Sequence, residues 1–180
     1  LQSGCNEVLQ KMNRPYDTNE YYDKIEHIRE VIPEIAISCD VIVGFPGESD
    51  EMFEKTYAFL KKCHFSFLHI FPYSLREGTL ASQMPCQVEP QIKKERAVLC
   101  TALSQQMSDT YQQSKIGTMA EVITELPDGD TTPGHTSDYI PVKILHQNYP
   151  RGTFVKVLLK EYSGHQMTAE AESVIKDETI

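Results

Sequence analysis

The stretch that most constrains the fold is residues 36–49, AISCDVIVGFPGES. Val41, Ile42 and Val43 form an unbroken β-branched run, which reads as a strand buried on both faces, as in a parallel sheet. The run empties into Gly44-Phe45-Pro46-Gly47, where glycine permits close backbone approach and Pro46 stiffens the turn. Ser49 has the chemistry of an N-cap for a helix starting near Asp50. Strand, glycine turn and helix in succession is how α/β proteins build ligand sites at the carboxyl ends of strands. A tight connection with no ligand carries the same local signature.

The residues around this stretch extend the pattern. Residues 1–4 read as the end of a strand, and Val8, Leu9 and Met12 give a short helix over 6–12. Pro15 disfavours helix at Arg14 and breaks it. Asp17 and Glu20 have capping-box spacing for a second helix to about Val31, with Tyr21, Ile25, Ile28 and Ile32 on one face. Beyond Ser49, Phe53, Tyr57 and Leu60 mark a third helix. FSFLHIFPY, residues 65–73, reads as a second buried strand, with Phe65, Phe67, His69 and Phe71 on one packed face. It leads into the polar turn Ser74-Leu75-Arg76-Glu77-Gly78-Thr79. Pro90 opens the longest helix, to about Ile116, with Ile92, Leu99, Leu103, Met107 and Tyr111 as its stripe and Gly117 as its C-cap. This half is α/β and mostly parallel.

After Gly117 the pattern changes to short alternating segments separated by Pro-Asp-Gly, Tyr-Pro-Arg-Gly and Ser-Gly turns. Such closely spaced strands predict a small antiparallel barrel. The expected domains are therefore 1–116 and 117–180, with Lys176-Asp177-Glu178 a frayed tail.

Composition removes several classes. No apolar run approaches the roughly 18 residues of a membrane span, and no secretory signal is visible, so no membrane partner is expected. The five cysteines are scattered, with no pair at the short spacing that zinc or iron–sulfur sites use, which points to reduced thiols in the cytoplasm and to no metal ligands in this chain. His27, His64, His135, His146 and His165 also lack partners at ligand spacing. The chain opens on Leu1-Gln2-Ser3-Gly4 without an initiator methionine, as expected of a fragment or a processed chain.

Four segments in order, LQSGCNEVLQKMNRPYD, DVIVGFPGES, HIFPYSLREGTLASQM and VEPQIKKERAVLCTALS, resemble the methylthiotransferases of the radical S-adenosylmethionine (SAM) superfamily. HIFPYSLREGT and GHTSDYIPVKI are similar to the branch that acts on threonylcarbamoyladenosine in tRNA. The resemblance implies the carboxyl half of a partial TIM-like radical SAM barrel, followed by a small OB-like TRAM barrel that binds RNA. The family's amino-terminal domain and its closely spaced cysteine triad have no counterpart in this sequence. The resemblance thus implies 4Fe–4S clusters held by a missing amino-terminal half, a reductant protein, tRNA as partner, and no radical chemistry from this chain alone.

It also implies roles by position. Ile42 and Gly44 resemble the strand that packs against the SAM adenine, with Asp40 where the wider superfamily usually has glycine. Gln2 and Ser3 would meet the SAM ribose or amino-acid end, and Arg14 a carboxylate or phosphate. Tyr73 and Ser74 would line the same mouth, with Arg76 on the substrate side. Each has a plainer reading: Ile42 as core, Gln2 and Ser3 as loop polarity, Arg14 as half of a surface ion pair, and Arg76 beside Glu77 as solvation of a turn. No catalytic residue is assigned.

Net charge is −9, against a general affinity for nucleic acid. Residues 116–180 contain ten acids against Lys143, Arg151, Lys156, Lys160 and Lys176. Between Tyr139 and Lys160, however, four cations and no carboxylate are interleaved with Tyr139, Tyr149 and Phe154. That combination suits phosphates and unpaired bases, and Tyr139, Lys143, Arg151 and Lys156 are its expected contacts. The alternatives are a solvated barrel face, a non-catalytic RNA-binding module, or a methylthiotransferase acting on isopentenyladenosine or a ribosomal protein.

Overall fold

The computed structural model describes residues 1–175, so the expected tail at Lys176-Asp177-Glu178 lies outside the described residues. The chain divides into two compact units, Leu1–Ser108 and Asp109–Ile180.

In the first unit, α1 (Asn6–Lys11), α2 (Thr18–Val31), β1 (Ser38–Val43), α3 (Asp50–Cys63), β2 (Phe67–Pro72), α4 (Leu80–Gln83) and most of α5 (Pro90–Ser114) follow in order. Local chemistry sets the helix starts. Asp17 accepts the Glu20 N–H at 2.9 Å while Glu20 accepts the Asp17 N–H at 3.3 Å, so the capping box is formed. Ser49 accepts the Met52 N–H at 3.3 Å and opens α3. The short α4, capped by Thr79, follows directly on the polar turn 74–79, where the sequence pattern assigned no element.

β1 and β2 pair in parallel, with Asp40 opposite His69 and Ile42 opposite Phe71. Successive side chains on a strand point to opposite faces. One face of the pair carries Cys39, Val41, Val43 and Leu68, buried with Ile25, Phe53, Leu60, Cys100, Leu103 and Met107 from the helices. The other carries Ser38, Asp40 and Ile42 beside Phe67, His69 and Phe71, and it is open, with Phe71 51% exposed. Neither strand is therefore buried on both faces, and of the aromatic alternation Phe65 is packed in the core while Phe67, His69 and Phe71 lie on the open face. An apolar Ile42 made the run look two-sided, whereas the buried residues of α2, α3 and α5 pack on the other side and Ala81 of the short α4 borders this one. Residues 1–3 run along the free edge of β1, where Ile42 N–H donates to the Gln2 carbonyl at 2.9 Å.

Two expected helix stripes shift. On α2, Ile25 is buried but Ile28 and Ile32 are 40% and 51% exposed. On the part of α5 that lies in the first unit, the buried positions are Arg96, Cys100, Leu103 and Met107, a helical spacing that places Leu99 outside. Ser104 Oγ accepts the Leu68 N–H at 2.8 Å and donates to the Leu68 carbonyl at 3.0 Å, closing the outer edge of β2 at that residue.

In the second unit, β3 (Met119–Thr124), β4 (Thr131–Thr136), β5 (Pro141–Leu145), β6 (Phe154–Ser163) and β7 (Gln166–Val174) close into a barrel of order β3-β4-β5-β7-β6. Val122, Val142, Ile144, Val155, Val157, Leu159, Met167 and Ala169 fill it. The barrel is not wholly antiparallel, because β7 pairs in parallel with β5 while pairing antiparallel with β6. Closure removes the edges that an open five-stranded sheet would expose.

Candidate functional site

The open face of the β1–β2 pair is the floor of a cavity of about 430 Å³ at the carboxyl ends of the strands. Asp40, Ile42 and Phe71 line its floor, Gln2 one side, and Tyr73, Ser74, Arg76 and Thr79 the rim leaving β2. The cavity offers an apolar surface, a neutral amide, a carboxylate and a guanidinium, which is the mixture that fixes a small polar ligand with one flat ring.

Of the expected cofactor-binding residues, Gln2, Ile42 and Tyr73 line this cavity, as does Arg76 of the expected substrate side. Ser3, Gly44 and Arg14 do not. The Ser3 hydroxyl is fully buried, 3.0 Å from Thr56 Oγ1, and accepts the Cys5 N–H at 3.2 Å. Its polarity is spent inside the fold rather than at the strand mouth. Gly44 has φ +73°, and a Cβ there would stand 2.2 Å from Lys93 Cγ, so the close approach it permits is that of the Lys93 stem. Arg14 is exposed on the loop after α1. Tyr73 lines the cavity, packs its ring edge-to-face on Phe45 at 5.4 Å, and buries its hydroxyl without a hydrogen-bond partner. Asp40, which stands where the wider superfamily usually has glycine, contributes the carboxylate of the floor.

The turn after β1 is held by residues whose role the sequence did not reveal. Glu48 Oε1 accepts the Gly44 N–H at 3.0 Å and Arg96 Nη1 at 2.6 Å. Arg96 also donates to the Glu48 carbonyl at 3.2 Å and to Asp50 at 2.7 Å, and lies 5.2 Å over the Phe53 ring. The side chains of Glu48 and Arg96 are 1% and 5% exposed. Burial pushes the Glu48 carboxyl above the usual range, while the Gly44 N–H and the Arg96 charge pull it back. Forty-eight residues separate the partners, so no local pattern announces the pair.

Among the described residues, no three His, Cys, Asp or Glu side chains stand close enough to hold a metal ion. Burial pushes the Cys39 thiol up to about 11 and those of Cys63 and Cys100 up to about 12, the opposite of what thiolate ligation needs. This donor set does not fit an iron–sulfur cluster. The cavity does fit a nucleoside-like ligand, because Ile42 and Phe71 supply apolar surface beside the polar groups of Gln2 and Asp40.

In the barrel unit, Tyr139 is 78% exposed in the turn between β4 and β5. Lys143 lies on the outer face of β5, opposite Pro133 and Thr168. Arg151 is exposed in the turn that Gly152 N–H ties to Thr124 at the end of β3. Lys156 stands in register with Glu121, and Lys160 pairs with Glu170 at 3.1 Å. The acid-free run of the sequence is thus partly neutralised in space by carboxylates from β3 and β7. Ile123 and Phe154, cross-strand neighbours on the outer face, are 45% and 47% exposed.

Among the described residues, no helix is long and apolar enough to cross a membrane. The family described as the Radical SAM superfamily matches residues 1–60. The chain is 37% identical over 187 aligned residues to the threonylcarbamoyladenosine tRNA methylthiotransferase of Bacillus subtilis (strain 168), an alignment covering 92% of this chain and 42% of that protein. It is 34% identical to the tRNA-2-methylthio-N(6)-dimethylallyladenosine synthase of Desulfitobacterium hafniense (strain Y51), over 96% of this chain and 39% of that one. The chain therefore spans about two fifths of the length of these relatives. Among solved structures, coproporphyrinogen III oxidase from Escherichia coli, a radical SAM enzyme, superposes with a TM-score of 0.52 at 16% identity, covering 88% of this chain and 39% of that one. At that identity the match is one of fold. It agrees with the α/β half expected from the sequence, and the closed five-stranded barrel is consistent with a TRAM-like domain.

Proposed function

We propose that this chain belongs to the radical SAM methylthiotransferase family and forms the carboxyl-terminal part of an enzyme that adds a 2-methylthio group to threonylcarbamoyladenosine in tRNA. The observation that carries this reading is the 37% identity, over 92% of the chain, to a threonylcarbamoyladenosine tRNA methylthiotransferase. The cavity on the open face of β1 and β2 supports it physically.

In this reading SAM held at the cavity would supply the methyl group and, with clusters held by an amino-terminal part of a longer protein, the radical chemistry. The residues of this chain bind and orient. Ile42 offers the adenine an apolar face, and Gln2 and Asp40 meet the hydroxyl and amino groups of the ligand. Arg76 on the rim faces a carboxylate or phosphate of the incoming nucleoside, which a guanidinium grips in bidentate fashion. Glu48 and Arg96 fix the turn that ends β1, so that Ile42 keeps its place. The barrel, through Tyr139, Lys143, Arg151 and Lys156, contacts the tRNA. Clusters held outside this chain would draw their electrons from a reductant protein, and the chain alone would perform no turnover.

A second reading, dimethylallyladenosine as the substrate nucleoside, is favoured by the relative that is 34% identical over 96% of the chain. Purified full-length protein, reconstituted with iron and sulfide and supplied with SAM, reductant and unmodified-at-C2 tRNA, separates the two by mass spectrometry of digested nucleosides. The proposal expects the 2-methylthio derivative of threonylcarbamoyladenosine. Product on dimethylallyladenosine alone selects the second reading, and no thiolated nucleoside refutes both.

A further inference from the structure

The turn between β4 and β5 places a large aromatic residue where the backbone resists it. Tyr139 has φ +63°, in the left-handed region that bulky side chains rarely occupy. Its ring is 78% exposed, so no packing of its own explains the conformation. The surrounding groups impose it. Tyr139 N–H donates to the Thr136 carbonyl at 3.0 Å, Thr136 N–H to the Ile140 carbonyl at 3.1 Å, and Ile140 N–H to Thr136 Oγ1 at 3.0 Å. The Thr136 hydroxyl bonds to Asp138 Oδ1, and the Tyr111 hydroxyl, from the last turn of α5, donates to Asp138 Oδ2 at 2.6 Å.

Asp138 matters for charge as well as shape. Burial pushes its carboxyl up, but hydrogen bonds from Thr136 and Tyr111 and the charge of Lys115 outweigh this and hold it below the usual range. Its negative charge is turned inward and matched by donors. The adjoining ring of Tyr139 is left as an aromatic face without an opposing exposed carboxylate in its own turn. Backbone strain held in place by surrounding structure is a mark of functional positions.

We propose that Tyr139 is a stacking platform for an unpaired nucleobase, with Tyr111 a positioning residue that acts through Asp138. The inference rests on the reading that this protein binds tRNA, and it names which part of the RNA the turn meets. Stacking on an aromatic face is tolerant of sequence and adds to phosphate contacts made elsewhere on the barrel.

The test uses full-length protein, fluorescent oligoadenylate, a strand of equal length with abasic sugars, and tRNA. Wild type binds oligoadenylate about ten-fold more tightly than the abasic strand. Tyr139→Gly abolishes that difference, leaves the salt dependence of binding unchanged, and raises the urea midpoint by relieving the backbone. Tyr111→Phe reduces the base-dependent difference while the salt slope stays the same, a pattern that general destabilisation does not produce. If Tyr139→Gly keeps the wild-type preference for bases, or loses affinity only in step with lost stability, the platform is refuted while tRNA binding stands. If wild type binds neither tRNA nor oligoadenylate, the underlying reading fails with it.

Discussion

Replacing Arg96 by methionine isolates the clamp on the turn after β1. The substitution keeps an apolar stem of similar reach but removes the guanidinium that meets Glu48 at 2.6 Å and Asp50 at 2.7 Å. Two opposite charges about 4 Å apart at an effective dielectric near 20 attract by about 4 kcal/mol. Breaking a buried pair on one side costs about 3–5 kcal/mol, chiefly because the remaining charge is stranded. Here that charge is Glu48, whose side chain is 1% exposed and whose Oε2 already lacks a partner. The link to Asp50, itself 85% exposed, adds at most about 1 kcal/mol. The stacking over Phe53 adds about 0.5–1 kcal/mol. Arg96→Met should therefore cost about 4 kcal/mol, a large share of the roughly 5–15 kcal/mol that a domain has. The sign with pH follows from burial. A folded Glu48 carboxyl raised above its unfolded value stabilises most at low pH, and that contribution is lost as pH rises through the folded value. Losing Arg96 removes a group that lowers this value, so the variant should be hurt more at pH 7 than at pH 4. Urea titration read by hydrogen exchange of residues 38–50 measures both. A loss under about 1 kcal/mol, or one equal at the two pH values, would refute the reasoning.

Other perturbations probe separate parts of the account. Gly44→Ala forces a Cβ to within 2.2 Å of Lys93 Cγ at φ +73°, and should destabilise the first unit by about 1–3 kcal/mol in the same titration. The Asp138 carboxyl is held below its ordinary range, so its contribution is present above about pH 4 and lost as pH falls through the folded value; Asp138→Asn should flatten acid unfolding of the barrel there. Cys39, Cys63 and Cys100 are buried with raised thiol values, while Cys86 is exposed, so brief iodoacetamide treatment of the native protein at pH 8 should label Cys86 first by peptide mass spectrometry.

Much of the local structure was legible because its causes are local. The Asp17–Glu20 capping box, the Ser49 cap and the strand–turn–helix around Gly44 need only neighbouring residues. The barrel was legible from short alternating segments and turns, but the parallel pairing of β5 with β7 was not, since neither strand's pattern encodes its partner's direction. The open face of β1 hid for a related reason: Ile42 is as apolar as Val41 and Val43, and only the placement of helices decides which side is covered. Ser3 and Gln2 look alike as loop polarity, yet a packed Thr56 draws Ser3 inward while Gln2 reaches the cavity. On α5, the charge of Arg96 hid the true inward stripe of Arg96, Cys100, Leu103 and Met107. Long-range ion pairs such as Glu48–Arg96 leave no signature until the chain is folded.

The measurement closest to the central claim is the nucleoside profile of tRNA from a host whose gene for this protein has been disrupted. The 2-methylthio derivative of threonylcarbamoyladenosine should disappear, the unthiolated nucleoside should accumulate, and the intact gene should restore the profile. A profile identical to that of the undisrupted host would contradict the claim.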